Sequence, residues 1–434
     1  MKKNSIFTMA ARATVAACVV AALAGCSKKA PPRKVYAPLA PEGTAVAGIW
    51  EYKGLADNPM MQFLVDWVAE SNAKMVAAQA EANPALAATL PQPDVASIKE
   101  KALKSLKECD WSVFTMKKPA FTAEIFKDDD AVIDFPQTVF VQALTEPLTP
   151  ECFEKRIKAS LEEGLASLDE TQRGEMDELF AKYIAVADDT VAGCAVKKVS
   201  FKETDETKEI LNHVKGLAPC YGIFDETLAI FASSPEAFAE TVALYKGEAA
   251  KSTDPDIAAD FGTCGKEQSR YGFYGLQGLL ADFLGDDYDK FDDLAGGCVK
   301  PIRALRVAGA IDGESMSAKG AIRLVMDDAA AAKTLSSQIE NSRGMIAMGA
   351  GFLAMRAPAL SPATMILNKF KTSGDDGVCA IELEATKADL EALDFAAIVE
   401  QCQEFLPQGE GEEDQGEGEE DEGEGEEDQG EGEE

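Results

Sequence analysis

Few residues of this 434-residue chain have the type and spacing for catalysis. His213 is the only histidine, and it lies in ETKEILNHVKG. Ser/His/Asp or Cys/His chemistry would have to run through it. It closes a helical pattern, where an imidazole ordinarily complements the helix dipole, and that is the role expected of it. No G-x-S-x-G or H-E-x-x-H motif is present. The run from Asp286 to Asp293, DDYDKFDD, is acidic enough to attract calcium. It lacks the carboxylate spacing and the sixth-position glycine of a calcium loop, so it reads as a solvated acidic loop. Carboxylate pairs of the glycosidase kind have so many candidates that none stands out. The apolar run GMIAMGAGFLAM, Gly344 to Met355, carries no phosphate-loop pattern. It is far too short to span a bilayer and is expected to be a core helix. No cofactor is implied.

The N-terminus carries a sharper signal. MKKNSIFTMAARATVAACVVAALAGC begins with Lys2, Lys3 and Arg12 and continues into a short apolar run, Ala13 to Ala22. That is the layout of a secretory signal peptide rather than a membrane-spanning helix. Leu23-Ala24-Gly25-Cys26 then resembles the lipobox of bacterial lipoproteins. The resemblance covers residues 1–26 and implies cleavage before Cys26, whose sulfur receives a diacylglyceryl group. It implies two or three acyl chains on that cysteine, hence a palmitate-type anchor that holds the protein in the cell envelope. One chain alone binds only marginally; two or more make attachment lasting. In that family an aspartate after the cysteine retains the protein at the inner membrane. Ser27 therefore favours the outer membrane, where the cell has one. The following stretch, SKKAPPRKVYAPLAPEG, is rich in proline and reads as a semi-rigid extended stalk. Its Lys28, Lys29, Arg33 and Lys34 suit anionic headgroups.

Export changes the meaning of the other cysteines. Cys18 belongs to the leader. Eight remain: Cys109, Cys152, Cys194, Cys220, Cys264, Cys298, Cys379 and Cys402. An even number at an oxidising destination suggests disulfides between neighbours in sequence. Cys264–Cys298 is the favoured pair, because glycine-containing loops flank both. The alternative is buried thiols acting as small apolar side chains. No CxxC motif or Cys/His cluster supports zinc.

The chain holds 42 basic and 76 acidic residues, a net charge of −34. Nucleic acid is excluded as a partner for lack of a basic footprint. Much of the acid lies at the C-terminus. From Gln408 the seven-residue unit QGEGEED recurs without one apolar residue. Such a segment has nothing to bury against the entropy of ordering, so a disordered polyanion is expected over residues 406–434. Its carboxylates, such as Glu412, Glu413 and Asp414, suit weak, diffuse binding of divalent cations or of basic envelope surfaces.

The elements between stalk and tail read as strands interleaved with amphipathic helices. Strands are expected over Thr44–Lys53, Trp111–Met116, Phe121–Phe126 and Thr138–Leu144. Asn58-Pro59 opens a helix. Thr138–Ala143 and Thr227–Ala232 are alike, and each precedes a capped helix start, Thr149-Pro150-Glu151 and Ser234-Pro235-Glu236. A hairpin is expected around Asp312-Gly313, and Thr386 with Asp389 forms a capping-box pattern. The fold class is α+β: antiparallel sheets with amphipathic helices on one face, built from strand-pair-plus-helix units. The expected divisions are leader 1–25, lipidated stalk 26–43, a first α+β domain 44–250, a second 251–405, and the tail 406–434. The functional expectation is a membrane-anchored envelope lipoprotein with a non-catalytic binding or scaffolding role. The alternatives are a carboxylate-dependent hydrolase of envelope polymers and a carrier of an apolar ligand in a dry cavity.

Overall fold

The structure is a computed structural model that describes residues 40–82, 94–120, 132–165, 170–204, 207–208, 214–262, 267–294 and 296–403. The leader, Cys26, the strand expected at Phe121–Phe126, His213, Cys264 and the acidic tail lie outside the described residues.

The strands in chain order are β1 (Thr44–Glu51), β2 (Cys109–Lys117), β3 (Ile133–Asp134), β4 (Thr138–Leu144), β5 (Ile184–Val191), β6 (Cys194–Phe201) and β7 (Val214–Lys215). They continue as β8 (Cys220–Phe224), β9 (Leu228–Ala232), β10 (Ser269–Tyr274), β11 (Ile302–Asp312), β12 (Ser317–Met326), β13 (Lys371–Asp375) and β14 (Val378–Thr386). The helices are α1 (Pro59–Ala82), α2 (Val95–Glu108), α3 (Pro150–Leu165), α4 (Glu170–Tyr183), α5 (Pro235–Lys246) and α6 (Pro255–Gly262). After them come α7 (Leu276–Leu284), α8 (Tyr288–Leu294), α9 (Ala329–Arg356), α10 (Ser361–Leu367), α11 (Lys387–Glu391) and α12 (Phe395–Gln403).

Twelve of the strands form one sheet in the order β13-β14-β12-β11-β10-β1-β2-β4-β9-β8-β6-β5. Every pairing within it is antiparallel. β3 and β7 make a separate two-stranded parallel pair. The α+β class and the antiparallel pairing therefore hold, as a single continuous sheet.

The sheet is laid down in two similar runs. β1, β2 and β4 form a meander; the chain then leaves through α3 and α4 and makes the hairpin β5–β6 at one edge. It returns through β8 to β9, which closes against β4. The second run repeats this logic: a meander β10, β11, β12, an excursion through α9 and α10, the hairpin β13–β14 at the far edge, and closure of β14 on β12. The first strands of the two runs pair with each other, Gly48 opposite Tyr271. The expected boundary between 250 and 251 falls between the runs, and the sheet crosses it through β1 and β10. The likeness of Thr138–Ala143 to Thr227–Ala232 has a different outcome: these segments are β4 and β9, direct neighbours with Val141 opposite Ile230.

The central position of β1 explains its composition. Residues Thr44–Ile49 are all buried, as expected of a strand covered on both faces. Gly48 must be small, because a Cβ there would lie 2.8 Å from both the Trp50 and Tyr271 rings. The edge strands are polar: β5 exposes Asp188 and Asp189, and β13 reads KTSGD. Charged, hydrophilic edges resist pairing with other chains.

Helices pack on both faces, where one was expected. Alternation along β4 and β9 puts Val139, Val141 and Ile230 on one side and Leu144, Ala229 and Phe231 on the other. The first set joins Phe238 and Val242 of α5 in the main core. The second meets Phe153 and Ile157 of α3. Two helix amphipathicities are thus served by one sheet, and this is why strands such as β4 read as almost wholly apolar. A third cluster seats the first half of α9: Ala332, Leu335 and Ile339 lie with Ile302, Met326 and Cys379. Gly374 allows this close approach, since a Cβ would stand 2.8 Å from the α9 backbone at Ala332 and Lys333.

Candidate functional site

The densest chemistry is an ionic seam between α6 and the middle of the sheet. Asp254 caps α6, its carboxylate accepting from the backbone N–H groups of Asp256 (2.8 Å) and Ile257 (3.3 Å). Asp256 and Asp260 then stand one turn apart on one helix face. Arg303 Nε and Arg306 Nη2 each donate to the Asp256 carboxylate at 2.7 Å. Tyr274 OH donates to Asp260 at 2.8 Å, and Arg306 Nε lies 3.0 Å from the same carboxylate. Arg270 donates to Glu51 at 3.1 Å and to the Asp260 carbonyl at 2.8 Å. Burial pushes the Asp260 carboxyl above its ordinary range, against the pull of Arg306 and Tyr274. Burial, and then the Asp260 charge, pushes the Tyr274 phenol well up. Both carboxylates are engaged by guanidinium groups from neighbouring positions of the sheet. The arrangement clamps α6 onto the sheet and leaves neither carboxylate disposed as a free base.

A second set of charges lines a cleft of about 260 Å³ between α3, β6 and β8. Lys197 Nζ sits 2.9 Å from Glu154 and 2.8 Å from Asp188. Lys158 and Lys197 hold the Glu154 carboxyl down at about 2. A glycosidase acid needs the opposite shift, a carboxyl kept protonated near neutrality. The groove between α9 and β13, about 560 Å³, is lined by polar and charged groups including Ser336, Glu340, Arg343 and Lys371. An apolar cargo would need apolar walls.

Among the described residues, the longest run of exposed large apolar side chains is the outward face of α9 and α10. Met345, Met348, Phe352 and Met355 follow the 3-4-3 spacing of one helix face and are 65%, 62%, 60% and 71% exposed. Ile346 and Leu353 flank them on α9, and Met365 and Leu367 continue the surface on α10, all exposed. Ala347, Ala350 and Ala354 lie on the more buried side, and Ala357 is fully buried. The usual amphipathic order is inverted: small residues turn inward and large apolar ones outward. GMIAMGAGFLAM is thus a helix, as expected, but its large side chains are not core. Arg343 ties the segment to the sheet side, donating to the Phe370 carbonyl at 2.9 Å with its guanidinium 5.5 Å from that ring. Among the described residues no helix is long and apolar enough to cross a membrane.

The cysteines depart from the expectation of disulfides. Cys109, Cys152, Cys194, Cys220, Cys298 and Cys379 are free thiols. The physical reason is their seating. Cys220 is packed in the main core and Cys379 beneath α9, as small apolar side chains. The Cys109 thiol donates to the carbonyls of Trp111 (3.2 Å) and Ala143 (3.1 Å). Cys298, expected to pair with Cys264, donates instead to Gln338 Oε1 at 3.1 Å. Cys264 and the side chain of Cys402 lie outside the description. The acidic run at Asp286–Asp293 forms short helices, and its Asp292 has a definite task. Buried, it accepts from the backbone N–H groups of Val299 (2.8 Å) and Lys300 (2.9 Å), which holds its carboxyl below the ordinary range. No cluster of three or more His, Cys, Asp or Glu able to hold a metal occurs among the described residues. The lipidation site Cys26 and the tail carboxylates Glu412, Glu413 and Asp414 fall outside them.

Sequence reasoning missed the outward face and the seam. The face had only a partial signal: large apolar residues on one stripe and alanines on the opposite one separate two sides without saying which is covered. Arg303 and Arg306 gave none, because the sequence does not state which helix lies above a strand.

No protein-family model matches this chain, and no curated protein does. Among solved structures, three crystal forms of TP0453 align with 85–86% of this chain and 97–100% of theirs, at 6–9% identity and TM-scores of 0.33–0.34. A likeness at that level carries no statement about the fold or the activity of this protein.

Proposed function

We propose that this protein is a lipoprotein of the bacterial cell envelope, held in the membrane by lipid on Cys26, with a binding or scaffolding role rather than a catalytic one. The observation that carries the reading is the N-terminal order: basic start, short apolar run, then Leu23-Ala24-Gly25-Cys26. The proline-rich, basic stalk that follows fits a spacer lying against anionic headgroups. Ser27 points to the outer membrane, where one exists. The ion-paired state of the Asp256–Asp260 seam and of Glu154 supports a structural use of these carboxylates. The acidic tail adds weak, salt-sensitive attraction for divalent cations or basic envelope surfaces.

Replacing the lipid acceptor tests the anchor. Cys26→Ala should leave the chain unprocessed, or release it from the membrane fraction. Correctly cleaved Cys26→Ala protein that stays membrane-bound like the wild type would refute the reading.

A further inference from the structure

We propose that the body of this protein docks on the bilayer surface, laying the outward face of α9 and α10 into the headgroup layer. The tether invoked below rests on the lipid-anchored reading; the face itself does not.

The first support is geometric. Met345, Met348, Phe352 and Met355 form one exposed stripe, and Ile346, Leu353, Met365 and Leu367 widen it. Large apolar side chains exposed together along one helix face, rather than scattered singly, mark an interaction surface. The inward alanines and the Arg343–Phe370 contact show that the helix is seated as it stands, so the large side chains are not waiting for the protein's own core. An interfacial helix has this character, an apolar face with cations at its margin.

The second support is charge. Residues 341–374 contain no Asp or Glu, although the whole chain has a net charge of −34. The same stretch holds Arg343, Arg356, Lys369 and Lys371. Glu340 pairs with Arg343 and Asp389 with Lys369, but among the described residues no carboxylate pairs with Arg356 or Lys371. With Arg343 and Lys369 already paired, exposed Arg356, next to Met355, stands at the end of the stripe as a cation without a carboxylate partner among the described residues, complementary to anionic lipid. A second copy of this chain is disfavoured by the same fact, because its own residues 341–374 supply no carboxylate to answer that charge in an isologous contact. The acidic tail could answer the charge but has no apolar residue to cover the stripe.

The third support is reach. At about 3.1 Å per residue, a fully extended chain of the residues from Cys26 to the first described residue, Ala40, can reach roughly 45 Å. A compact body of this size has a radius of gyration of about 20 Å, so that reach allows the α9–α10 face to turn to the membrane.

The test uses the protein purified from membranes and reconstituted into phosphatidylcholine/phosphatidylglycerol vesicles, with and without brominated phosphatidylcholine. Phe352→Trp places a reporter on the stripe, and subtracting the wild-type signal removes Trp50, Trp67 and Trp111. The proposal predicts that the added emission falls at least twofold with brominated lipid. Unchanged emission overturns it. The mass of the N-terminal peptide shows separately whether Cys26 carries lipid. If it does not, the unlipidated full chain is added to the same vesicles, and the quenching still decides the face. The double variant Met348→Asp/Phe352→Asp, shown folded by circular dichroism, should lose at least tenfold in vesicle affinity when measured on the unlipidated Cys26→Ser chain. Undiminished binding by the folded variant counts against the face. A concentration-dependent dimer that the double variant abolishes, seen without lipid quenching, assigns the face to a second copy and likewise overturns the proposal.

Discussion

Helices α5 and α9 each follow an antiparallel strand pair, β8–β9 and β11–β12, yet they use their apolar residues in opposite ways. α5 turns Phe238, Val242 and Leu244 inward, where they are 0%, 1% and 3% exposed. The second half of α9 turns alanines inward and holds Phe352 and three methionines out. Both helices begin well: Ser234 accepts from the Ala237 N–H at 3.2 Å, and Asp328 accepts from the Ala330 N–H at 2.9 Å. Local helix-forming chemistry is therefore the same. What differs is where the large side chains go, and that difference separates a helix made for the core from one made for a surface.

Substitution should break this symmetry cleanly. Phe238→Ala is expected to cost about 3–5 kcal/mol by leaving a cavity in the main core. Phe352→Ala on α9 should stay within about 0.5 kcal/mol, as a surface change does. Denaturant unfolding of both variants checks the pair; equal losses would mean that Phe352 is core after all. Next in size is the seam. Asp256→Ala removes the partner that Arg303 and Arg306 share, leaving them Asp327 and Asp260, and should cost about 1.5–3 kcal/mol, with α6 as the first segment to gain hydrogen exchange. Ser234→Ala and Asp328→Ala should each cost about 1 kcal/mol, since the cap serves both helices alike.

Smaller effects sharpen the account of the thiols and of acid stability. Alkylation of the native protein should modify exposed Cys152 first. Cys220, whose thiol burial pushes up to about 12, and buried Cys109 should react only on unfolding. Non-reducing mass mapping that finds these three cysteines in disulfides would contradict the structure. Asp389 closes the capping box on Thr386 and pairs with Lys369, which holds its carboxyl at about 2. A depressed carboxylate stabilises the folded chain above its unfolded value of about 3.9. That contribution should fade as pH falls from about 4 toward 2. Asp389→Asn should remove this part of the acid dependence, read from unfolding midpoints across that window.

The legible parts of the fold are those encoded locally. Ser234-Pro235, Asn58-Pro59 and Thr386–Asp389 act as the helix starts that their residue types announce. β11 and β12 pair around the turn after Asp312, whose carboxylate accepts from the Glu314 N–H at 2.9 Å. The single sheet was not legible, because β4–β9 and β1–β10 join residues far apart in the chain, and no local rule names a distant partner. Cys298 and Cys379 could not be told from disulfide half-cystines, because a buried thiol and a half-cystine look alike in sequence. The α9 face was obscured for a related reason: alanine and glycine opposite methionine and phenylalanine make both sides apolar, so the pattern does not say which side is covered.

The central claim, an envelope protein held by lipid on its first mature residue, has one direct test. The native protein is extracted from membranes, digested, and its N-terminal peptide weighed. The account predicts that the peptide begins at Cys26 and carries diacylglycerol and acyl groups. A peptide that begins elsewhere, or that begins at Cys26 with an unmodified thiol, would contradict it.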